Sequence, residues 1–149
     1  MDTFTIVRPE HLNHHGYLFG GQMLKWVDED AWLVAARDFP GYSLVTRAMD
    51  QIDFRHRILN GSILRLHILP FRQGTTSITY RVEVYAQEPC AEAGETGPLH
   101  GAPRAVSPEA GLAEKSEKLV FSNHVTFVCV DERGNKRALP RRERLPSQC

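Results

Sequence analysis

The side chains best suited to chemistry lie between Asn13 and Asp28. Asp28 is a carboxylate in a stripe of apolar residues at helical spacing, beside Val27 and between Leu24 and Ala31, and a carboxylate on a buried face is costly unless it is paired or functional. Such a group can activate a water or attack a carbonyl directly. Asn13 offers a neutral amide that can hydrogen-bond an oxygen or orient a water, although it equally suits an ordinary turn.

Gly20 and Gly21 stand where a polar loop is expected to pass into a helix. Paired glycines let the backbone approach a ligand closely. The unpaired N–H groups of a first helical turn also suit an oxyanion or a polarised carbonyl. Taken alone, the pair favours a tight turn packed against the sheet, so the sequence leaves both interpretations open.

The spacing of apolar residues predicts the element that positions these groups. Between residues 20 and 38 they recur three and four positions apart, which is typical of a helix: Leu24, Val27, Ala31, Val34 and Ala35. Asp28 returns to the face of Gly21 after seven residues, yet the two lie roughly 10 Å apart along the axis. One substrate atom cannot touch both, so if both act they must come from different copies of the chain.

The remaining elements are predicted to be strands. A short strand over 3–8, which stops at Pro9, precedes the helix, and runs rich in alternating or β-branched residues predict four more, over 42–54, 62–71, 75–85 and 119–130. Residues 87–116 are dominated by Ala, Gly, Glu and Pro, which predicts a mobile insertion. Residues 133–149 form a basic C-terminal tail.

These elements predict one α+β domain over residues 1–149. The helix is too apolar to lie outside, and the strands are too many to leave bare. The economical arrangement is a curved antiparallel β-sheet wrapped around one long central helix, which is the hotdog fold. A small sheet covers only one side of the helix, so we expect a second copy to cover the other side in a homodimer.

Composition narrows the class of partner. Lys plus Arg number 18 and so do Asp plus Glu, and this balance weighs against a protein that binds nucleic acid through phosphates. The three cysteines have no ligand spacing, so neither a disulfide framework nor a zinc site is expected. No apolar window approaches the ~20 residues of a membrane span, and no signal peptide is visible. We expect a cytoplasmic protein with no membrane partner.

Two further kinds of catalytic site are disfavoured. His11, His14 and His15 match no compact metal-binding spacing and have no acidic or Cys partner at a fixed offset, so no metal is expected. No serine lies in a Gly-x-Ser-x-Gly elbow, so a serine nucleophile is not expected either.

The segment Asn13-x-x-Gly16-x-x-Phe19-Gly20-Gly21, which continues to Asp28, resembles the hallmark of hotdog acyl-CoA thioesterases. These include bacterial short- and medium-chain hydrolases and animal cytosolic acyl-CoA hydrolases. The resemblance extends to the stretches 44–46, 72–77 and 127–140, and it covers most of the chain except 87–116. It implies hydrolysis of acyl-CoA to free CoA and a carboxylic acid, at sites in a dimer interface.

The resemblance also implies a role for each residue. Asp28 would be the general base or nucleophile, with Asn13 of the partner subunit as its companion. The amides at Gly20 and Gly21 would polarise the thioester. It implies no cofactor beyond the CoA of the substrate, and it makes four residues candidates for CoA contact: Arg72, Gly74, Thr75 and, with less support, Arg137.

Two other functions are left open. A hotdog hydratase or dehydratase resembles an Asp-x-x-x-x-His arrangement, and no Asp here has His five residues later. A non-catalytic acyl-CoA-binding or regulatory module predicts no carboxylate at Asp28, but the atypical Asp30 and Trp32 keep it open. Relatives often form hexamers, so a trimer of dimers is also open. Trp32, with Met23 and Trp26, either shapes an acyl tunnel or belongs to the core.

Overall fold

The computed structural model describes residues 1–88 and 117–142 of the chain. Most of the predicted insertion over 87–116, and the end of the predicted tail over 133–149, lie outside the described residues. The structure therefore bears on the central helix, the strands and the segment that follows the last strand.

Five strands and one long helix form the domain. In chain order they are β1 (Asp2–Ile6), α1 (Gly20–Asp38), β2 (Ser43–Phe54), β3 (Ile63–Gln73), β4 (Ser77–Gln87) and β5 (Lys118–Val130). The strands form one antiparallel sheet in the order β1-β3-β4-β5-β2. The sheet curves around α1, so the predicted hotdog architecture is confirmed.

Helix α1 has the bounds that the apolar spacing predicted. One stripe of side chains is buried against the sheet: Met23, Val27, Ala31, Val34 and Ala35. The chain then turns through Pro40 and Gly41, whose φ of 81° lies in the left-handed region that glycine tolerates. No helix in the described ranges is long and apolar enough to cross a membrane.

The inner face of the sheet follows the predicted alternation. On β4 the side chains of Ile78, Tyr80, Val82 and Val84 are all buried, while the residues between them are more exposed except for Thr79. The observed strands begin and end within two residues of the predicted bounds. The strand β4 begins at Ser77 instead of the predicted residue 75. It does so because the Gly74 amide donates to the Ser77 carbonyl at 2.9 Å, which makes 74–77 a turn.

Two side chains join α1 to the opposite edges of the sheet. The Thr3 hydroxyl of β1 donates to Asp30 Oδ2 at 2.7 Å. The indole N–H of Trp32 donates to the Leu44 carbonyl of β2 at 2.9 Å. These bonds give structural roles to Asp30 and Trp32, which are among the residues that are atypical for the resembled family.

The side of α1 that faces away from the sheet is open and partly apolar. Trp32 is 41% exposed and Leu33 51% exposed. Beside them, β2 is an edge strand of 12 residues that pairs with β5, and no described strand pairs with its outer edge. An edge of this length with exposed apolar neighbours is a surface that proteins normally cover.

The C-terminal end of α1 is tied to the segment that follows β5. The Tyr80 hydroxyl donates to Asp38 Oδ2 at 2.6 Å, and the Arg142 guanidinium pairs with the same oxygen. Burial, and then the adjoining Asp38 carboxylate, raise the pKa of the Tyr80 hydroxyl. The hydroxyl therefore stays protonated and remains a donor.

Removing this hydroxyl should destabilise the fold measurably. Tyr80→Phe leaves the Asp38 carboxylate paired with Arg142 but deletes a buried hydrogen bond, so we expect the free energy of unfolding to fall by about 1–2 kcal/mol. Urea unfolding at one fixed protein concentration measures it. The control is Tyr85→Phe, whose hydroxyl bonds the neighbouring Glu83 and whose loss should cost less. Equal stability of Tyr80→Phe and wild type would contradict the role of this hydroxyl.

Candidate active site

Asp28 lies at the side of the buried stripe of α1. It is half-buried, so the prediction that its carboxylate lies on the buried face is wrong for the single chain. One residue of helix turns the side chain about 100° from Val27, which points Asp28 towards β2. There the Thr46 hydroxyl donates to Asp28 Oδ1 at 2.7 Å. The second oxygen, Oδ2, accepts no hydrogen bond from the described residues, so it is available to a water or a substrate.

A cleft of ≈ 410 Å³ opens beside this carboxylate. Its walls combine acidic groups with two exposed apolar side chains, and its lining is Asp28, Glu29, Asp30, Trp32, Leu33 and Thr46. Glu29 turns to the surface and pairs with Lys25 at 3.8 Å, and Asp30 is bonded to Thr3. Glu29 and Asp30 are thus bonded to residues outside the cleft. Asp28 differs from them, because its partner Thr46 also lines the cleft.

Asn13 stabilises its own loop. Its side-chain Oδ1 accepts the backbone N–H groups of His15 at 2.9 Å and Tyr17 at 3.2 Å. Since an amide oxygen has two lone pairs, both acceptor positions are occupied. The side-chain NH₂ is the group left to bind a ligand, so Asn13 can donate a hydrogen bond to an oxygen. It is poorly placed to accept a hydrogen bond from a water.

The first turn of α1 leaves two backbone amides available. The third and fourth amides of this turn donate to the Phe19 carbonyl, at 3.0 and 3.2 Å. Those of Gly20 and Gly21 form no hydrogen bond with a described residue. Two adjacent free N–H groups at a helix start form a site for a negative or polarised oxygen.

Aromatic packing independently explains the two glycines. A Cβ on Gly21 would lie 2.5 Å from Phe19 Cε1, and one on Gly20 would lie 3.3 Å from Phe54 Cζ. The first distance is too short for any side chain, so Phe19 would have to move. The glycine pair therefore serves close packing and leaves the amides uncovered at the same time.

The residues predicted to act on the thioester fall into two separate clefts. Asn13 and Gly20 share a cleft of ≈ 360 Å³, whose other lining residues are Tyr17, Leu18, Phe54, Arg55, His56 and Arg57. Asp28 lines the other cleft. The structure thus brings Asn13 to Gly20 and leaves Asp28 apart, as the rise of the helix requires.

Sequence analysis missed several residues of these clefts. Thr46 received no role, because nothing in a single sequence pairs it with a carboxylate 18 positions earlier. The basic run Arg55-His56-Arg57 was also overlooked, although three basic residues directly after a strand are a visible signal. Arg57 donates to the Tyr17 hydroxyl at 3.1 Å and lies over its ring.

The four candidate CoA contacts do not share one cleft. Gly74 and Thr75 line a cleft of ≈ 570 Å³ together with Arg141 and Arg142. Arg137 lines a different cleft, and its guanidinium carbon lies 4.9 Å from the centre of the Tyr42 ring. Arg72, at the end of β3, lines neither.

The described ranges contain no group of three His, Cys, Asp or Glu side chains placed to hold a metal ion. The histidines of the N-terminal loop are engaged with rings instead. His11 packs edge-on against Trp26 with ring centres 4.8 Å apart, and His14 lies against His15 at 3.9 Å.

A long helix enclosed by one curved antiparallel sheet of five strands defines the hotdog fold. Residues 15–91 match the family described as the thioesterase superfamily. The chain belongs to this superfamily.

Some curated relatives are much longer than this chain, and others are of similar length. Mouse acyl-coenzyme A thioesterase 11 is 37% identical over 87 residues, which is 58% of this chain and 14% of that protein. The chain spans only 14–15% of the first three animal relatives. The Escherichia coli acyl-CoA thioester hydrolase YciA is 24% identical over 136 residues, covering 91% of this chain and 87% of the relative.

Solved structures share the fold. A hexameric broad-specificity acyl-coenzyme A thioesterase superposes with a TM-score of 0.71 at 23% identity, covering 95% of this chain and 81% of the other. An acyl-CoA hydrolase from Staphylococcus aureus, in complex with butyryl coenzyme A, gives 0.72 at 24% identity, over 94% and 71% of the two chains.

The two functions of the Asn13 side chain can be separated by substitution. Asn13→Ala removes the acceptor of two loop amides, so we expect a loss of about 1 kcal/mol in stability. Asn13→Asp keeps an oxygen in the place of Oδ1, which accepts both loop amides, and should stay close to wild type in stability. Thermal unfolding of the two variants measures the difference. If Ala and Asp substitutions were equally stable, the loop bonds would not matter.

Proposed function

We propose that this chain is an acyl-CoA thioesterase that releases free CoA and a carboxylic acid. The observation that carries the proposal is Asp28, held by Thr46 on one oxygen and open on the other, in a cleft with apolar walls. The bacterial relative of similar length is named an acyl-CoA thioester hydrolase, and the mouse relatives are named acyl- and acetyl-coenzyme A thioesterases.

In the proposed reaction the free oxygen of Asp28 removes a proton from a water, or attacks the thioester carbon itself. The carbonyl oxygen becomes negative and is stabilised by the free amides at Gly20 and Gly21, together with the side-chain NH₂ of Asn13. The C–S bond then breaks and the CoA sulfur takes up a proton. If a water attacked the thioester carbon, this step gives the carboxylic acid; if Asp28 attacked it, the step leaves a mixed anhydride on Asp28, which a water then hydrolyses to the acid and the free Asp28 carboxylate.

These groups serve one thioester only if two copies of the chain meet. Antiparallel α1 helices, packed side by side, would bring Asp28 of one copy to Asn13 and Gly20 of the other. The exposed edge of β2 and the open side of α1 supply the surface for such a dimer. Several structural neighbours are described as hexameric, so we propose a homodimer that can assemble further into a trimer of dimers.

The CoA portion is proposed to lie at the cleft of Gly74 and Thr75. There Arg141 adds positive charge, which suits phosphate groups, while Arg142 is already paired with Asp38. Arg72 and Arg137 remain weaker candidates, because neither lines this cleft. CoA enters as part of the substrate, and the proposed reaction needs no resident cofactor. A cytoplasmic location is proposed since Cys129 is a free, buried thiol.

A non-catalytic acyl-CoA-binding module is the weaker proposal. It drew its support from Asp30 and Trp32, and both have structural roles at the edge strands. A hydratase or dehydratase gains no support, because none of the described residues that line the cleft of Asp28 is a histidine. In the described structure, the partner of Asp28 is a threonine hydroxyl.

Asp28→Asn tests the proposal directly. The amide keeps the shape of the carboxylate but cannot act as a base, so we expect kcat to fall roughly 10²–10⁴-fold. A thiol-reactive dye follows the release of free CoA from a panel of acyl-CoA substrates. Glu29→Gln is the matched control, because Glu29 lines the same cleft and pairs only with the surface residue Lys25. Wild-type rates in Asp28→Asn would exclude this role.

A further inference from the structure

Asn123 is a polar residue in the middle of the apolar core. It is 2% exposed, and it shares the helix-facing side of β5 with Phe121, Val125 and Phe127. Neither its side-chain oxygen nor its nitrogen has a hydrogen-bond partner among the described residues. An unpaired buried amide is costly, typically by about 1–3 kcal/mol for each unsatisfied group. A ligand that formed hydrogen bonds with the Asn123 amide would remove this cost.

Two contacts of α1 fix the place of Asn123 relative to the candidate site. At the start of the helix, Gly20 lies against Phe54, whose ring packs on Phe121 with centres 4.9 Å apart. Further along, Asp28 bonds Thr46, which pairs in register with Phe127. Asn123 lies between these two levels and about 7 Å along β5 from Phe121. It is therefore beneath the first turns of α1.

The neighbouring strand is irregular at the same level. Asp50 pairs with His124 and Asp53 with Ser122, so Gln51 and Ile52 both stand opposite Asn123. Gln51 has a φ of 51°, a left-handed conformation that is costly for a residue other than glycine. Such bulges interrupt the ladder and re-aim side chains next to functional sites. The strain lies beside the unpaired amide.

We propose that Asn123 binds a neutral oxygen on the acyl group, so that the chain prefers acyl-CoA substrates with a hydroxyl or keto group over saturated ones. This rests on the proposed thioesterase function. With the thioester carbonyl at the amides of Gly20 and Gly21, an acyl group that passes Phe54 and runs between α1 and β5 reaches Asn123. Phe54 is 51% exposed and lines the cleft of Asn13 and Gly20. It therefore lies where the proposed acyl path leaves this cleft and enters the space between α1 and β5.

The chemistry of the Asn123 side chain selects a neutral oxygen. An amide can donate to and accept from a hydroxyl, or donate to a ketone. A carboxylate at the same depth would have to lose its hydration beside the apolar side chains of Phe121 and Val125, which costs far more than one amide bond returns. A saturated chain would leave both amide atoms unpaired. Dicarboxylic acyl groups and plain alkanoyl groups are both expected to be poorer substrates.

The test compares pairs of substrates that differ by one hydroxyl. Butyryl-CoA is paired with β-hydroxybutyryl-CoA, and hexanoyl-CoA with ω-hydroxyhexanoyl-CoA, so two oxygen positions are sampled. For each pair the ratio of kcat/KM, hydroxylated over saturated, is measured for wild type and for Asn123→Leu, which has the same number of side-chain heavy atoms. We expect the ratio to fall roughly three- to tenfold for at least one pair, as the loss of one neutral hydrogen bond allows.

Ser62→Ala is the matched control. Ser62 Oγ is also buried without a described partner, but it lies beside the start of β3, which β4 separates from β5. Its ratios should equal those of wild type. Thermal unfolding is measured alongside, and Asn123→Leu should be as stable as wild type or more so, since it removes unpaired polar atoms. Should the Leu variant not fold, Asn123→Ala is read in the same way.

The outcomes are distinguishable. Unchanged ratios in a folded Asn123 variant, with an active wild type, would overturn the role of Asn123 and leave the thioesterase proposal intact. A wild type that releases no CoA from any acyl-CoA of the panel, these four included, would contradict the thioesterase proposal, and this inference with it. A lower ratio in the Asn123 variant alone, with Ser62→Ala like wild type, supports the inference.

Discussion

The length of α1 separates the polar groups of the candidate site. Asp28 stands about 10 Å along the helix from the amides of its first turn, and a helix of this kind does not bend to close such a gap. The two groups also open into different clefts. Any reaction that uses both must therefore be built from two chains, and the proposed dimer follows from this distance.

Side-chain hydrogen bonds set the rotation of α1 within the sheet. Asp30 is bonded to β1, while Trp32 and Asp28 are bonded to β2. Tyr80 holds the far end through Asp38. Together these contacts turn the carboxylate of Asp28 towards the exposed edge strand rather than into the core. The open side of the helix and the site are consequently on the same surface, where a second copy would pack.

Much of the fold followed from local periodicity. The bounds of α1 were predicted correctly because its buried stripe recurs at helical spacing, and the faces of β4 because its buried residues alternate. The strand ends moved by up to two residues, since single bonds such as that between Gly74 and Ser77 decide where a turn stops. Such bonds leave no periodic signal.

The candidate site was only partly predictable. Asn13, Gly20 and Gly21 stand close together in the chain, so their shared location could be inferred. The pairing of Asp28 with Thr46 depends on how β2 lies against the helix, which one sequence does not report. Burial of Asp28 was overestimated for a related reason: one residue of helical rotation carries a side chain from the core to its rim. Asn123 gave no sequence signal, because an isolated polar residue in a strand is usually taken to face solvent.

The most direct test of a site shared by two chains is a mixing experiment. Asp28→Asn and Asn13→Asp should each be nearly inactive, because each dimer then lacks one group in both sites. A mixed dimer contains one site with the native Asp28 and Asn13 and one site with neither. After dissociation and random reassembly of equal amounts, about half of the dimers are mixed and each has one working site. Acyl-CoA cleavage should therefore recover to about a quarter of the wild-type rate; no recovery, with mixed dimers shown to have formed, would contradict a site built from two chains.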